Sequence, residues 1–145
     1  MNLEGIISIT GKSGLFKVIS QGNNVVIVEN LTDKKRMPIT ARYQANSLNE
    51  IGIYTLENTS PLSDIFDIIA KKENAKQSIS HRANKEDLIQ YFEEILPNYD
   101  VERVYISDIK KVIQWYNAMQ TAGLIELPQA EKKTTRKKSI TEKEN

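Results

Sequence analysis

The sequence predicts an α+β fold: a small five-stranded, strongly bent β-barrel of the Src-homology kind, then a compact helical subdomain and a disordered basic tail. Three observations carry this reading. Up to about residue 58, short runs rich in Ile and Val are broken by Gly, Asn and Asp, the signature of short strands joined by tight turns. From Pro61 onward apolar residues recur at three- and four-residue spacing, the period of helices buried along one face. Beyond Pro128 the chain is mostly Lys, Thr and Glu, with Ile140 as its one large apolar residue, too little burial to offset the entropy of ordering.

The first strand is expected at Gly5–Thr10, followed by a turn at Gly11-Lys12-Ser13-Gly14, where glycine supplies backbone angles other residues resist. Leu15–Ser20 and Val25–Glu29 follow as strands, separated by the turn Gln21-Gly22-Asn23-Asn24. Thr32–Arg36 reads as a polar hairpin loop before Met37–Thr40, and Pro38 confines that strand to an edge or a bulge because it cannot donate a ladder hydrogen bond. The fifth strand is expected at Ile51–Thr55. Ser60-Pro61 looks like a helix N-cap and first position, opening a stripe of Leu62, Ile65, Phe66 and Ile69 that covers the barrel. Residues 71–83 are polar and read as a linker. Asn84-Lys85-Glu86-Asp87 resembles a cap for a second helix, with Leu88, Ile89, Phe92, Ile95 and Leu96 buried and Pro97 as a stop. Ser107-Asp108 is expected to cap a third, whose stripe is Ile109, Val112, Ile113, Tyr116 and Met119 and whose end is Gly123. Val101–Ile106 is either a short helix or an extended turn. The expected division is therefore 1–73 for barrel and covering helix, 74–83 for the linker, 84–127 for the helical subdomain and 128–145 for the tail.

Composition excludes much chemistry. There is no Cys, which removes disulfides and thiolate metal sites or nucleophiles, and the single His81 lies in the polar linker without a second His nearby, so no metal and no cofactor is expected. The apolar run Val25–Val28 falls far short of the ~18 residues of a membrane span. With no basic-then-apolar leader at the start, the expected location is cytoplasmic and no membrane partner is anticipated. The net charge of +1 is unevenly spread: residues 83–130 carry four Lys/Arg against eight Asp/Glu, and 131–145 carry six against three. A nucleic-acid surface on the folded part would therefore be local.

Two sets of candidate residues stand out. Lys12, Lys34, Lys35, Arg36 and Arg42, with Lys17, form a basic rim near Phe16 and Tyr43, the pairing of cations and aromatics by which small barrels take RNA. Solvated turn charges and a core Phe16 would leave the same pattern. Tyr105, Trp115 and Tyr116 are candidate anchors for a protein partner or a second copy, because Trp and Tyr dominate interface hot spots. Core packing of one and a helix–helix seam for the other explain Trp115-Tyr116 equally well. Thr10-Gly11-Lys12-Ser13 has the look of a phosphate loop but not its spacing, and a strand follows where a helix is needed, so it reads as a hairpin turn. Glu93-Glu94, Asp100 and Glu102 read as a solvated face.

Several strings, among them Met1–Ile6, Gly11–Lys17, Ser47–Ile51, Tyr91–Glu94, Leu96–Asp100, Arg103–Val112 and Trp115–Asn117, resemble a family of unknown function found in Bacteroidota. The resemblance covers most of residues 1–120 and implies an N-terminal β part with a C-terminal helical part, with no catalytic residue to carry over. The functional expectation is a non-enzymatic cytoplasmic binding module that engages RNA or a ribonucleoprotein through the barrel turns and basic tail. The alternative is a protein–protein adaptor or self-associating scaffold built on the helical subdomain.

Overall fold

A computed structural model describes residues 1–40 and 42–127; the expected tail, 128–145, lies outside the described residues. Five strands, β1 (Ile6–Ile9), β2 (Phe16–Gly22), β3 (Val25–Asn30), β4 (Arg36–Ile39) and β5 (Ala45–Ser47), form an antiparallel sheet in the order β4-β3-β2-β1-β5. A 3-10 turn at Leu48–Glu50 leads to a separate hairpin of β6 (Gly52–Tyr54) and β7 (Thr59–Pro61), then to helices α1 (Leu62–Glu73), α2 (Lys85–Ile95) and α3 (Ile106–Thr121). The α+β composition is as predicted, with two corrections to the β part. The sheet is open at β4 and β5 and does not close into a barrel. The strand expected fifth, at Ile51–Thr55, is absent from this sheet; the short segment Ala45–Ser47 takes the place beside β1. The physical reason is the buried Leu48, which turns the chain away from the sheet, so that the next extended segment pairs with Thr59–Pro61 instead.

The sheet bends where β2 passes one extra residue, Ile19, between the pairs Val18–Val28 and Ser20–Ile27. Alternation along β1 then divides the interior. Ile7 and Ile9 join Phe16, Val28 and Ile39 in a small core inside the bent sheet, while Ile6 points the other way into the main core. That main core is continuous from Leu3, Leu15, Leu31 and Leu48 through all three helices. The α1 and α3 stripes are buried as their spacing predicts; on α2, Tyr91 is buried and Ile89 only partly so.

Helix ends follow local chemistry. Pro61, expected inside α1, is its N-cap, and Ser60 lies in β7 opposite Ile53, because the extended backbone that suits Pro also fits the hairpin. Asn84 caps α2 as expected, accepting from the Asp87 N–H at 2.8 Å. At α3 the cap is Tyr105, not Ser107: its N–H donates to the Asp108 carboxylate at 2.9 Å. Gly123, at φ +78°, closes α3 with Gly123 N–H donating to Gln120 O and Leu124 N–H to Met119 O. Of the segment 101–106, Val101–Arg103 form a turn, with the Arg103 and Val104 N–H groups both donating to Asp100 O, and Ile106 already belongs to α3.

The expected linker is not loose. Asn117 on α3 accepts from the Ser78 N–H and hydroxyl (2.8 and 3.0 Å) and donates to Ile79 O (3.1 Å), and the Tyr116 hydroxyl donates to Lys76 O at 2.9 Å. Gln77 bonds to Asn117 O, Gln120 and Thr121. The connection between α1 and α2 is thus laced along the third helix. Among the described residues no helix is long and apolar enough to cross a membrane.

Two stability outcomes follow. Phe92 is fully buried and meets Tyr99 edge-on at 5.0 Å, so Phe92→Ala should cost about 3–5 kcal/mol in urea unfolding. Asn117→Ala leaves the Ser78 donors and Ile79 O without their partner and should cost about 1–3 kcal/mol, with faster amide exchange confined first to Ser78; an unchanged midpoint would show that the latch contributes nothing.

Candidate functional site

Helix α3 buries Ile109, Val112, Ile113, Tyr116 and Met119. A second stripe, Asp108, Lys111 and Trp115, precedes Ile109, Val112 and Tyr116 by one residue each and so lies one helical step around from them. That stripe borders a cleft of about 610 Å³ between α3 and the β part. The opposite wall is the end of β1 with the turn Gly11–Gly14; Asn46 of β5 and Ile51–Tyr54 complete it, and Arg103 and Val104 close it near the start of α3. Gly52 lies on this wall where its strand meets β7 closely: a Cβ there would collide with the Thr59 methyl. The cleft thus combines three cations, Lys12, Arg103 and Lys111, with one acid, Asp108, and two aromatics, Tyr54 and Trp115.

The charges differ in how they are held. Asp108 accepts from the Tyr105 N–H, and Arg103 is fixed between the Asp100 carboxylate (2.9 Å) and the face of Tyr54, 4.2 Å from its ring centre. The hydrogen bond from Arg103, reinforced by the Glu102 N–H, holds the Asp100 carboxyl below the usual carboxylate range. Lys12 sits 5.6 Å from the centre of the half-buried Tyr43 ring, and neither it nor Lys111 has an ion-pair partner among the described residues.

A second groove of about 470 Å³ lies between the β1–β2 and β3–β4 turns, lined by Gly11, Lys12, Ser13, Phe16, Asn30, Asp33, Lys35, Arg36 and Met37. It brings Lys12, Lys35 and Arg36 together; Lys34 and Arg42 are exposed outside its lining. Arg36 is bonded to Glu29 at 2.9 Å. Phe16 borders the groove but is buried in the small core, and Tyr43, which lies under Lys12, is outside the lining.

Among the expected anchors, Tyr116 is corrected: it is fully buried, edge-on to Phe66, and burial with the nearby Glu73 charge pushes its hydroxyl up to about 12. It is a core residue because it falls on the stripe that meets α1. Trp115 is half-buried at the cleft, and Tyr105, the α3 N-cap, is 64% exposed. The structure therefore joins one residue of each expected set, Lys12 and Trp115, in a single cleft. Sequence reading missed Lys111, Arg103 and Tyr54; the i, i+3, i+7 stripe on α3 was the signal for Lys111. His81 is half-buried beside a polar hollow with Gln77, Ser78 and Asn117, and no group of His, Asp and Glu able to hold a metal occurs among the described residues. Glu94 pairs with Lys72 at 2.7 Å on the outer face of α2. Gly11-Lys12-Ser13 is a hairpin turn, the Lys12 N–H donating to Ile9 O.

Residues 3–48 match a domain of unknown function (DUF5606), and residues 51–119 match a second domain of unknown function (DUF6852). The solution NMR structure of a Bacteroides vulgatus protein, from the Northeast Structural Genomics Consortium, is 40% identical with a TM-score of 0.73, and the match covers 99% of this chain and 100% of that one. No curated protein matches.

The Asp100–Arg103 contact has a definite pH sign. Because the folded carboxyl is held low, its stabilisation is complete above the ordinary carboxylate value of 3.8 and is lost as pH falls below it. Asp100→Asn should flatten that acid limb of the stability–pH curve; an identical limb in the variant would show that other carboxylates govern it.

Proposed function

The chain belongs to the family of unknown function represented by the Bacteroides vulgatus protein, and we propose that it is a non-catalytic cytoplasmic module that binds single-stranded RNA, free or in a ribonucleoprotein. The observation that carries the reading is the convergence of Lys12, Lys111 and Arg103 with Trp115 and Tyr54 around one cleft. Single strands are taken by surfaces of this composition, in which cations follow the phosphates and aromatic rings take the bases. Lys12 and Lys111 are the phosphate ligands, because neither is committed to an ion pair among the described residues. Trp115 supplies the exposed part of its ring for stacking. Arg103 already covers one face of Tyr54, whose exposed ring lines the cleft. The basic run Lys132–Lys138 adds non-specific attraction.

A second reading, docking of a protein partner or a second copy, is favoured by a different observation. Leu56 (69% exposed) and Val101 (66%) flank the place where the β6–β7 loop meets the α2–α3 loop, with Tyr105 four residues beyond Val101. Large apolar side chains clustered there are the kind of surface that partners cover.

The test is fluorescence anisotropy with a labelled eight-nucleotide oligouridine, together with the emission of Trp115, the chain's single tryptophan. Affinity should fall steeply between about 50 and 200 mM salt, Trp115 should be quenched on binding, and the Lys12→Ala/Lys111→Ala variant should lower the salt slope by about 1.4, at ~0.7 per phosphate contact. Absence of binding at low salt, or binding indifferent to salt, overturns the RNA reading. A chain that fails this test but sediments as a dimer, and as a monomer after Leu56→Asp, would establish the second reading.

A further inference from the structure

We infer that the ligand is an extended strand that leaves the cleft over the Gly11–Ser13 turn and continues into the groove beyond, rather than a mononucleotide held between the sheet and α3. This rests on the RNA-binding reading and specifies its ligand. The carrying observation is that the two hollows share a wall: Gly11, Lys12 and Ser13 line both.

The topology explains the arrangement. In the antiparallel order β4-β3-β2-β1, the β1–β2 and β3–β4 turns fall at the same end of the sheet. A strand running across that end passes from α3, over the first turn, to the second. The turn is a low saddle: Gly11 has no side chain and open space where a Cβ would stand, and Lys12 and Ser13 are exposed. Lys12 therefore serves both hollows from the crest.

The far groove repeats the charge pattern of the near one but offers no exposed aromatic, so it takes the backbone of the strand and not its bases. Its cations are Lys35 and Arg36, and its one acid, Asp33, accepts from the Lys35 N–H at 2.9 Å, which fixes the loop backbone. Arg36 is held by Glu29, whereas Lys35 has no ion-pair partner among the described residues. Three strand spacings of about 4.8 Å and one layer spacing of ~10 Å make a path of roughly 25 Å. That length suits the ~4 nucleotides at the lower end of single-strand site sizes. A mononucleotide at Trp115 would leave Lys35 without a phosphate; a continuing backbone brings one past it.

The experiment compares oligouridines of two, four and eight nucleotides on the full chain by Trp115 quenching and anisotropy. The octamer should bind more tightly than the dinucleotide by on the order of tenfold, as an added phosphate contact gives at low salt. Lys35→Ala should abolish most of that gain and leave the dinucleotide unaffected. Lys34→Asn, in the same loop but outside the groove's lining, should keep it, Asn being tolerant of the positive φ at this position. Equal affinity for the dinucleotide and the octamer, or an octamer indifferent to Lys35→Ala, overturns the extended path while leaving RNA binding in the cleft intact. Failure of every length to bind overturns both.

Discussion

The structure depends on β1 being buried on both faces. Ile7 and Ile9 close the small core of the bent sheet, and Ile6 reaches the helices from the opposite side of the same strand. Period-two alternation makes this a property of register: a slip of one residue would exchange the two faces and supply each core with the wrong side chains. The β part and the helices are thereby coupled through Ile6 of β1, together with Leu3, Leu15, Leu31 and Leu48. The bent sheet has only a small core of its own, and a chain of this size gains stability chiefly by making its layers share one. The ion pair of the Met1 α-amino group with Asp67 on α1, at 2.9 Å, reinforces the coupling by drawing the segment before β1 onto the helical layer.

With the sheet fixed against the helices, α3 determines what faces the remaining gap. Its core stripe sets its rotation, and its rotation turns Lys111 and Trp115 toward the Gly11–Gly14 turn. Asn117 from the neighbouring position, and Tyr116 through the hydroxyl at the end of its buried ring, hold residues 76–79 along the same helix. One helix thus packs the core, secures the connection between its two neighbours and forms a cleft wall. Tyr116 serves both the core and the connection, while the cleft wall falls to a different helical face, so its residues can vary in chemistry without disturbing the buried ones.

The sequence made the helices legible because their buried stripes have a period that no other element shares, and the caps at Asn84 and Gly123 rest on local hydrogen bonds. The sheet was less legible. Ala45-Asn46-Ser47 has none of the β-branched or aromatic residues that advertise a strand, and it is extended because β1 offers an unpaired edge. Ile51–Tyr54 does advertise one, but its partner is set by the turn at Leu48. The latch at residues 76–79 is polar at both ends, so hydrophobic pattern says nothing of it. For the site, charge and aromatic content identified Lys12 and Trp115 separately. Their meeting is a tertiary fact, joining residues about a hundred positions apart. Tyr116 was misplaced because adjacent aromatics on a helix point about 100° apart, and composition does not say which one meets the core.

That same 100° explains why the cleft's aromatic is only half exposed. A tryptophan directly opposite the buried stripe would be fully solvated, and one on it would be lost to the core. Trp115, one step from Tyr116, keeps part of its ring against apolar neighbours and presents the rest to the cleft. Packing limits its rotamers before any ligand arrives, so less side-chain freedom remains to be lost on stacking. Lys12 has a comparable restraint in the Tyr43 ring beneath it. The two groups best placed to hold a base and a phosphate are therefore both partly ordered by neighbours of their own. Ordering of this kind also occurs beside α2, where Lys72 lies 5.5 Å from the centre of the Tyr91 ring, but there the lysine is paired with Glu94. What distinguishes the cleft is an ordered cation, Lys12, with no carboxylate partner among the described residues.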